Sequence, residues 1–437
     1  MRETLKSLIL DFQEAPLETG VPRRLAVRHV AGKATILLGV RRCGKSTLAL
    51  QQVERLLADG VPREDVLLVN FFDDRLAALV REGPGLVTEA YYALYPEKKG
   101  KQTVHCFFDE IQAVPGWEPF VDRLLRTEKC RVTLTGSSAR MLSKEVATQM
   151  RGRALSWELF PFSFREFLDA RGIEAHGTLS TRKRLLVEKV FGEYQETGGF
   201  PEVIRLDRAL RVKTHQEYFH AILYRDLVER HDVAHPKALS DLARWLVDHA
   251  ASLYTVNRLT AYLKSLGHGV PKSVVGSFLE WFEDAYFLYT VSLFDASLAR
   301  RNTNPKKIYC VDHALVKSVS SGLLVNSGHL LENLVFVALR RANPGVYYYK
   351  TKNGREVDFV VPGRGRPQAL VQVCETLVDP ETRKRETAAL EAAMAELETK
   401  DGTIVTRNES ERIPTSAGTI EVVPAWRFLL DQPDAAE

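Results

Sequence analysis

Apolar residues along this chain fall into two kinds of run. Short, nearly continuous ones lie at 34–38, 65–72, 103–108 and 131–135. Their length and β-branched content predict strands buried on both faces, as in a parallel sheet. Longer runs repeat every three to four residues, at 47–57, 117–125, 182–196, 213–229, 239–250, 255–266, 272–285 and 328–340. These predict helices with one apolar stripe. Near the end of the chain the two kinds mix again. Strands are expected at 346–350, 356–361, 369–374 and 402–406, a helix at 387–397, and an acidic tail after them.

Punctuation supports these boundaries. Gly60 suits a helix C-cap. Ser163 with Glu166 three residues later predicts a capping box for a helix at 164–170. Gly198-Gly199-Phe200-Pro201 breaks the helix before it. The expected architecture is α/β throughout. A parallel-sheet core occupies 1–172, a helical lid 173–234, a winged-helix unit 235–311 and an α/β domain 312–437.

The first chemistry sits between the strand at 34–38 and the helix at 47–57. Gly39-Val40-Arg41-Arg42-Cys43-Gly44-Lys45-Ser46 reads Gly, four residues, Gly-Lys-Ser. Strand, glycine loop and helix together form a phosphate-binding loop. Backbone N–H groups from Gly39, Arg42, Cys43, Gly44 and Thr47 are expected around a triphosphate, helped by the positive end of the helix. Lys45 is expected at the β- and γ-phosphates and the Ser46 hydroxyl on Mg²⁺.

A second piece follows at the end of the strand at 103–108, where Asp109-Glu110 appears with one more strand between it and the loop. Asp109 is expected to hold the Mg²⁺ shell, and Glu110 to act as the base on the attacking water. The inserted strand and the paired acids mark the additional-strand class of ATPases. The strand at 131–135 runs into Thr135-Gly136-Ser137-Ser138; Ser137 is the candidate reader of the γ-phosphate, with Thr135 second, though both equally suit a turn and helix cap. Arg153, with Arg151 second, is the candidate arginine finger toward a neighbouring subunit, against a plain surface role. Arg23 and Arg24 read as a solvated basic pair, with flanking of a nucleotide as the alternative.

Helices at 255–266 and 272–285 joined by Gly267-His268-Gly269 have helix-turn-helix form. Apolar runs at 287–293 and 308–311 flank a basic segment, 299–307, which reads as a hairpin with a basic tip. Lys272 and Ser273 begin the second helix; with Arg300, Arg301, Lys306 and Lys307 they are candidate DNA contacts. Glu280, Glu283 and Asp284 later in that helix oppose deep groove insertion, and such units also pack only on proteins. In the last domain Glu332 on a helix, Asp358 on a strand, and Gln372-Val373-Cys374 occupy the positions of a metal-dependent nuclease centre. Glutamine is a poor Mg²⁺ ligand and cysteine lacks the lysine charge, so the expectation is a nuclease fold without nuclease activity.

Composition narrows the setting without deciding it. Net charge is +4 in 437 residues, so any nucleic-acid surface must be a local patch. Five scattered cysteines with no Cys-x-x-Cys pair argue for reduced thiols rather than a disulfide framework or zinc site. No apolar run approaches the length of a membrane span, and no signal peptide is visible, so a cytoplasmic protein is expected.

Taken together, 39–46, 107–110, 135–138, 161–167, 198–201, 328–333 and 356–361 resemble the AAA-superfamily ATPases of bacteria and archaea that carry a C-terminal domain of unknown function. The resemblance covers the chain nearly end to end. It implies ATP hydrolysis with Mg²⁺, a winged helix and a degenerate restriction-endonuclease-like domain. It does not supply a substrate. Two main readings remain: an ATP-driven machine acting on DNA, in a ring such as a hexamer, and a nucleotide-controlled switch for a protein partner. An active metal-dependent nuclease is a third.

Overall fold

The computed structural model describes residues 1–137, 150, 152–324, 326–363 and 367–434, in two compact units, Met1–Leu159 and Phe160–Glu437. The first unit is built on five strands: β1 (Ala34–Leu38), β2 (Val66–Asn70), β3 (Val104–Asp109), β4 (Cys130–Gly136) and β5 (Ala154–Glu158). Every neighbouring pair is parallel, and the order across the sheet is β2-β3-β4-β1-β5. All residues of β1 and β3 are buried, as their mostly apolar sequences predict, with Thr35, His105 and Asp109 the polar residues among them. Helices α1 (Arg2–Glu14), α2 (Lys45–Ala58), α3 (Gly85–Leu94) and α4 (Trp117–Thr127) belong to the same unit.

Register decides where the chemistry lies. β4 sits between β1 and β3, pairing Leu38 with Gly136 and Phe108 with Leu134. The residues that follow these three strands therefore share one edge of the sheet: Gly39 after β1, Glu110 after β3 and Ser137 after β4. This is the strand-end location where open parallel sheets bind ligands.

The second unit begins with helices. In α5 (Phe164–Ala170) the Ser163 side chain accepts from Glu166 N and the Glu166 carboxylate accepts from Ser163 N, completing the capping box. Next come α6 (Thr181–Thr197) and α7 (Arg208–Ala221), which continues into a π-helical turn at Ile222–Val228. Between α6 and α7, Gly198 takes φ +76° against the Asp312 carboxylate, and Gly199 N donates to Asp312 Oδ2 at 2.7 Å. A Cβ on Gly199 would come within 2.5 Å of Phe162 O. The glycine pair is thus a packing clasp as well as a helix break.

Helix α8 (Pro236–Asp248), β6 (Leu253–Tyr254), α9 (Val256–Ser265), α10 (Lys272–Asp284), β7 (Leu288–Val291), α11 (Leu298–Thr303) and β8 (Lys306–Cys310) follow. The three strands form an antiparallel sheet in the order β6-β8-β7. The segment expected as a hairpin tip is instead the short helix α11, capped by Ser297. Ser297 accepting from Arg300 N starts a helical turn that the basic residues, good helix formers, continue.

Helices α12 (His313–Val319) and α13 (Ser327–Ala342) lead to a mixed six-stranded sheet: β9 (Tyr347–Lys350), β10 (Glu356–Pro362), β11 (Pro367–Val373), β12 (Asp401–Thr406), β13 (Glu411–Pro414) and β14 (Thr419–Pro424). Its order is β13-β14-β12-β11-β10-β9. Helix α14 (Pro380–Glu396) covers one face, burying Leu390 and Met394 among Val357, Val360, Ile404 and Ile420. It starts earlier than its apolar stripe suggests because Asp379 caps it and Pro380 opens it. The expected acidic tail is in fact β13, β14 and helix α15 (Ala425–Asp431). β14 alternates exposed and buried residues along most of its length, and that half-buried pattern makes it a strand.

Candidate functional site

The Gly39–Ser46 loop has the shape its glycines allow. Gly39 has φ +148°, and a Cβ there would run into Leu159 O. Gly44, at φ +100°, is the N-cap of α2, and Arg42 also lies at positive φ. Lys45 is buried, and its ammonium crosses the loop to donate to Gly39 O at 3.0 Å and Val40 O at 3.1 Å. Cys43 is buried as well, and that burial pushes its thiol pKa up; the residue contributes backbone and packing, not a thiolate.

Opposite the loop, Asp109 ends β3. Ser46 Oγ donates to its carboxylate at 2.9 and 3.0 Å, and Thr135 Oγ1 donates to Asp109 Oδ1. Burial raises the Asp109 pKa; the Thr135 and Ser46 hydroxyls and Lys45 oppose that rise, and Glu110 adds to it. Thr135 Oγ1 also accepts from Glu110 N at 3.0 Å. One hydroxyl therefore fixes both acids. Glu110 has left-handed backbone (φ 53°, ψ 42°), and Gln112 donates to its carboxylate. The Ser46 hydroxyl and Asp109 carboxylate are hard oxygen donors in contact, which suits Mg²⁺, an ion that takes few carboxylates and completes its shell with phosphate and water. Among the described residues, no group of three or more His, Cys, Asp or Glu could hold a metal by itself.

Ser137 is buried just beyond β4, on the same edge. Ser138 and Arg151 lie outside the described residues. Arg153 precedes β5, at the opposite edge of the sheet. Its carbonyl accepts from Ala34 N at 2.8 Å, and its guanidinium lies 3.7 Å from Asp122 of α4. A strand of β1's length, about 16 Å at ~3.3 Å per residue, separates it from the loop of its own chain.

Sequence patterning misplaced Arg23. It is buried rather than solvated, and its guanidinium donates to Cys43 O in the loop at 2.6 Å. Its backbone N donates to Gln51 Oε1, while Gln51 Nε2 donates to Thr19 O and Val21 O. Gln51 thus straps the segment before β1 to α2, and the Arg23 guanidinium ties that segment to the loop. No local signal marks a glutamine on a helix for that task.

In the second unit Lys272 and Ser273 are exposed at the start of α10, and Arg300 is exposed on α11 with Asp295 3.0 Å away. Arg301 and Lys306 are half-buried. Lys307 is not a phosphate contact, because its side chain is 4 % exposed and its ammonium is held by Glu332, Glu356 and Asp358. Two successive lysines in a strand must face opposite ways, and here the second faces inward. Of the four nuclease-like positions, Glu332 and Asp358 meet at this ammonium. Gln372 instead accepts from Asp358 N at 3.2 Å and donates to Glu386 at 2.7 Å. Cys374 lies in the sheet core, and burial pushes its pKa up to about 12.

Residues 31–168 match the family model of the AAA domain. Residues 188–324 and 327–428 match two domains of unknown function, DUF8612 and DUF4143. An uncharacterized protein of Methanocaldococcus jannaschii, MJ1544, is 31% identical over 437 residues, covering 97% of this chain and 95% of that one. An uncharacterized protein of Haemophilus influenzae is 28% identical over 327 residues, 74% of this chain and 78% of its own. Among solved structures, the ORC1 protein of Aeropyrum pernix in complex with DNA aligns at 15% identity and a TM-score of 0.31, over 74% of this chain and 93% of that one. Cdc6p of Pyrobaculum aerophilum aligns at 14% and 0.26, over 70% and 89%. Among the described residues no helix is long and apolar enough to cross a membrane.

Proposed function

We propose, from the premise that this chain belongs to the same family as the M. jannaschii protein MJ1544 and carries an AAA domain at 31–168, that it hydrolyses ATP and uses the cycle to act on DNA. One observation carries the ATPase reading. At the edge where the Gly39–Ser46 loop opens, the Asp109 carboxylate joins the Ser46 and Thr135 hydroxyls, and Thr135 also holds the Glu110 amide.

In this reading Lys45 turns from the loop carbonyls to the β- and γ-phosphates. Ser46 and Asp109 would hold Mg²⁺, and the ion would supply charge neutralisation. Glu110 takes the proton of the attacking water. Ser137 contacts the γ-phosphate. Arg153, a strand's length from its own loop, serves the site of a neighbouring subunit in a ring, completing it from outside.

The working division is an ATPase core at 1–172, a lid at 173–234, a winged helix at 235–311 and a nuclease-like domain at 312–437. The winged-helix reading is supported by the order α8-β6-α9-α10-β7-α11-β8, with α11 in place of a hairpin tip, and by the sheet order β6-β8-β7. Lys272 and Ser273 at the exposed start of α10, with Arg300, Arg301 and Lys306, are its DNA-facing groups. The alternative, a nucleotide switch for a protein partner, is favoured by the inward turn of Lys307 and the pairing of Arg300 with Asp295, which both thin the basic surface. ATPase rate with and without duplex, single-stranded and branched DNA at fixed salt separates them. Stimulation by any form supports the DNA machine; no stimulation, with slow nucleotide release, supports the switch.

A further inference from the structure

Lys307 extends from β8 into a site made by two other elements. Its ammonium lies 2.9 Å from Glu332 Oε1 on α13, 2.8 Å from Asp358 Oδ1 on β10 and 2.8 Å from Glu356 Oε1, also on β10. A lysine ammonium has three N–H donors and no acceptor. Glu332 and Asp358 each accept one of its hydrogen bonds, and the Glu356 carboxylate adds a third counter-charge at 2.8 Å. Two of these acids are also bonded to the protein around them. Asp358 Oδ2 accepts from Val373 N at 2.9 Å, and Glu332 Oε1 also accepts from Tyr309 Oη at 2.7 Å. Gln372, where a nuclease centre would carry an acid, spans Asp358 N and Glu386.

This arrangement does not fit the divalent ion that the nuclease-like positions imply. Such an ion would need the oxygens that Lys307 already holds, and its entry would strand a buried ammonium without a counter-charge. We infer that Lys307 is a built-in cation in the place of a catalytic metal. It turns a would-be nuclease centre into a metal-free ionic joint tying the β6-β8-β7 sheet to α13 and β10. The joint is reinforced beside it: Asn333, next to Glu332, accepts from Cys310 N at 2.7 Å and donates to Cys310 O at 2.9 Å, pinning α13 to the end of β8. The inference rests on the nuclease-like reading of the last domain and is independent of the ATPase reading.

Its corollary is that removing the ammonium while keeping the carboxylates opens a site for a divalent cation. The test is Mn²⁺ binding, followed by the electron paramagnetic resonance of free Mn²⁺, on full-length nucleotide-free protein. The variants are Lys307→Met, Asp358→Asn and the two combined, with circular dichroism checking each fold. The wild type and Asp358→Asn are expected to bind the same number of Mn²⁺ ions. Lys307→Met is expected to gain one saturable site that the double variant lacks. A folded Lys307→Met protein that gains none overturns the inference, and so does a wild-type site that Asp358→Asn removes. If Lys307→Met does not fold, wild type against Glu356→Gln, altered at the most exposed of the three acids, gives the same comparison. DNA cleavage by the wild type that Asp358→Ala abolishes would overturn the nuclease-like domain's silence itself. Mn²⁺ uptake by Lys307→Met without cleavage leaves both standing.

Discussion

Thr135 is the residue on which the nucleotide site turns, because its single hydroxyl donates to Asp109 and accepts from the Glu110 amide. Thr135→Val keeps the shape, takes the Glu110 amide's partner away and leaves Asp109 held by Ser46 alone among the described residues, so it is expected to cost about 1–3 kcal/mol of stability, read by urea denaturation, and to slow turnover. Glu110→Gln is expected to retain ATP but to lose about 10²–10⁴-fold in phosphate release, the range of a positioned general base. The acids themselves were legible in the sequence, since an acidic pair closing a buried strand downstream of a glycine loop has few other uses. Thr135 was legible only as a residue at a strand tip. Its part in holding the acids depends on β4 lying between β1 and β3, a cross-strand fact that no local pattern carries. Arg23 was misjudged for a related reason: it looks solvated in sequence until Gln51 is seen to hold its amide and Cys43 O its guanidinium.

Element by element, burial and charge lead to separate expectations for the C-terminal unit. Helix α14 covers its sheet through Leu390, so Leu390→Ala is expected to destabilise that unit by about 2–5 kcal/mol in thermal or denaturant unfolding. Glu332 on α13 brings a pH dependence. Burial, and next the Asp358 charge, raise its pKa from 4.5 to about 7, against the pull of Lys307 and Tyr309. Between those values the folded chain keeps a proton that the unfolded chain has released. The contribution of this group to stability therefore falls as pH rises from about 4.5 to about 7. Glu332→Gln is expected to flatten that part of a stability–pH curve; an unchanged slope would assign it to other groups. Most helices were readable from their apolar stripes, and the capping box at Ser163 was readable outright. Several of the elements missed carry a signal other than apolar periodicity, whereas β14, taken as tail, does alternate. Helix α14 begins on a cap well before its stripe, α11 is polar and short, and β13 is an edge strand of mixed residues.

For the whole molecule, the sheet order puts the loop and acids at one edge of the first unit and Arg153 at the other. A residue so placed cannot complete its own site, which gives the ring reading a sharp test. Lys45→Ala and Arg153→Ala are each expected to be inactive alone and to regain turnover when mixed, because an intact site in one subunit then meets an intact arginine in the next. Full activity of Arg153→Ala alone would remove it from the mechanism. The succession of strand-rich, helical and strand-rich regions was legible from hydrophobic patterning. The Lys307 joint was not, since its partners lie 25, 49 and 51 residues further along the chain and meet only after β8, α13 and β10 have packed. The central claim, that the Gly39–Ser46 loop and the Asp109–Glu110 pair bind and split ATP, is tested most directly by measuring which nucleotide stays on the protein after incubation with labelled Mg²⁺-ATP. The account predicts ADP on the wild type, intact ATP on Glu110→Gln and neither on Lys45→Ala. Wild-type protein that retains no nucleotide and releases no phosphate would contradict it.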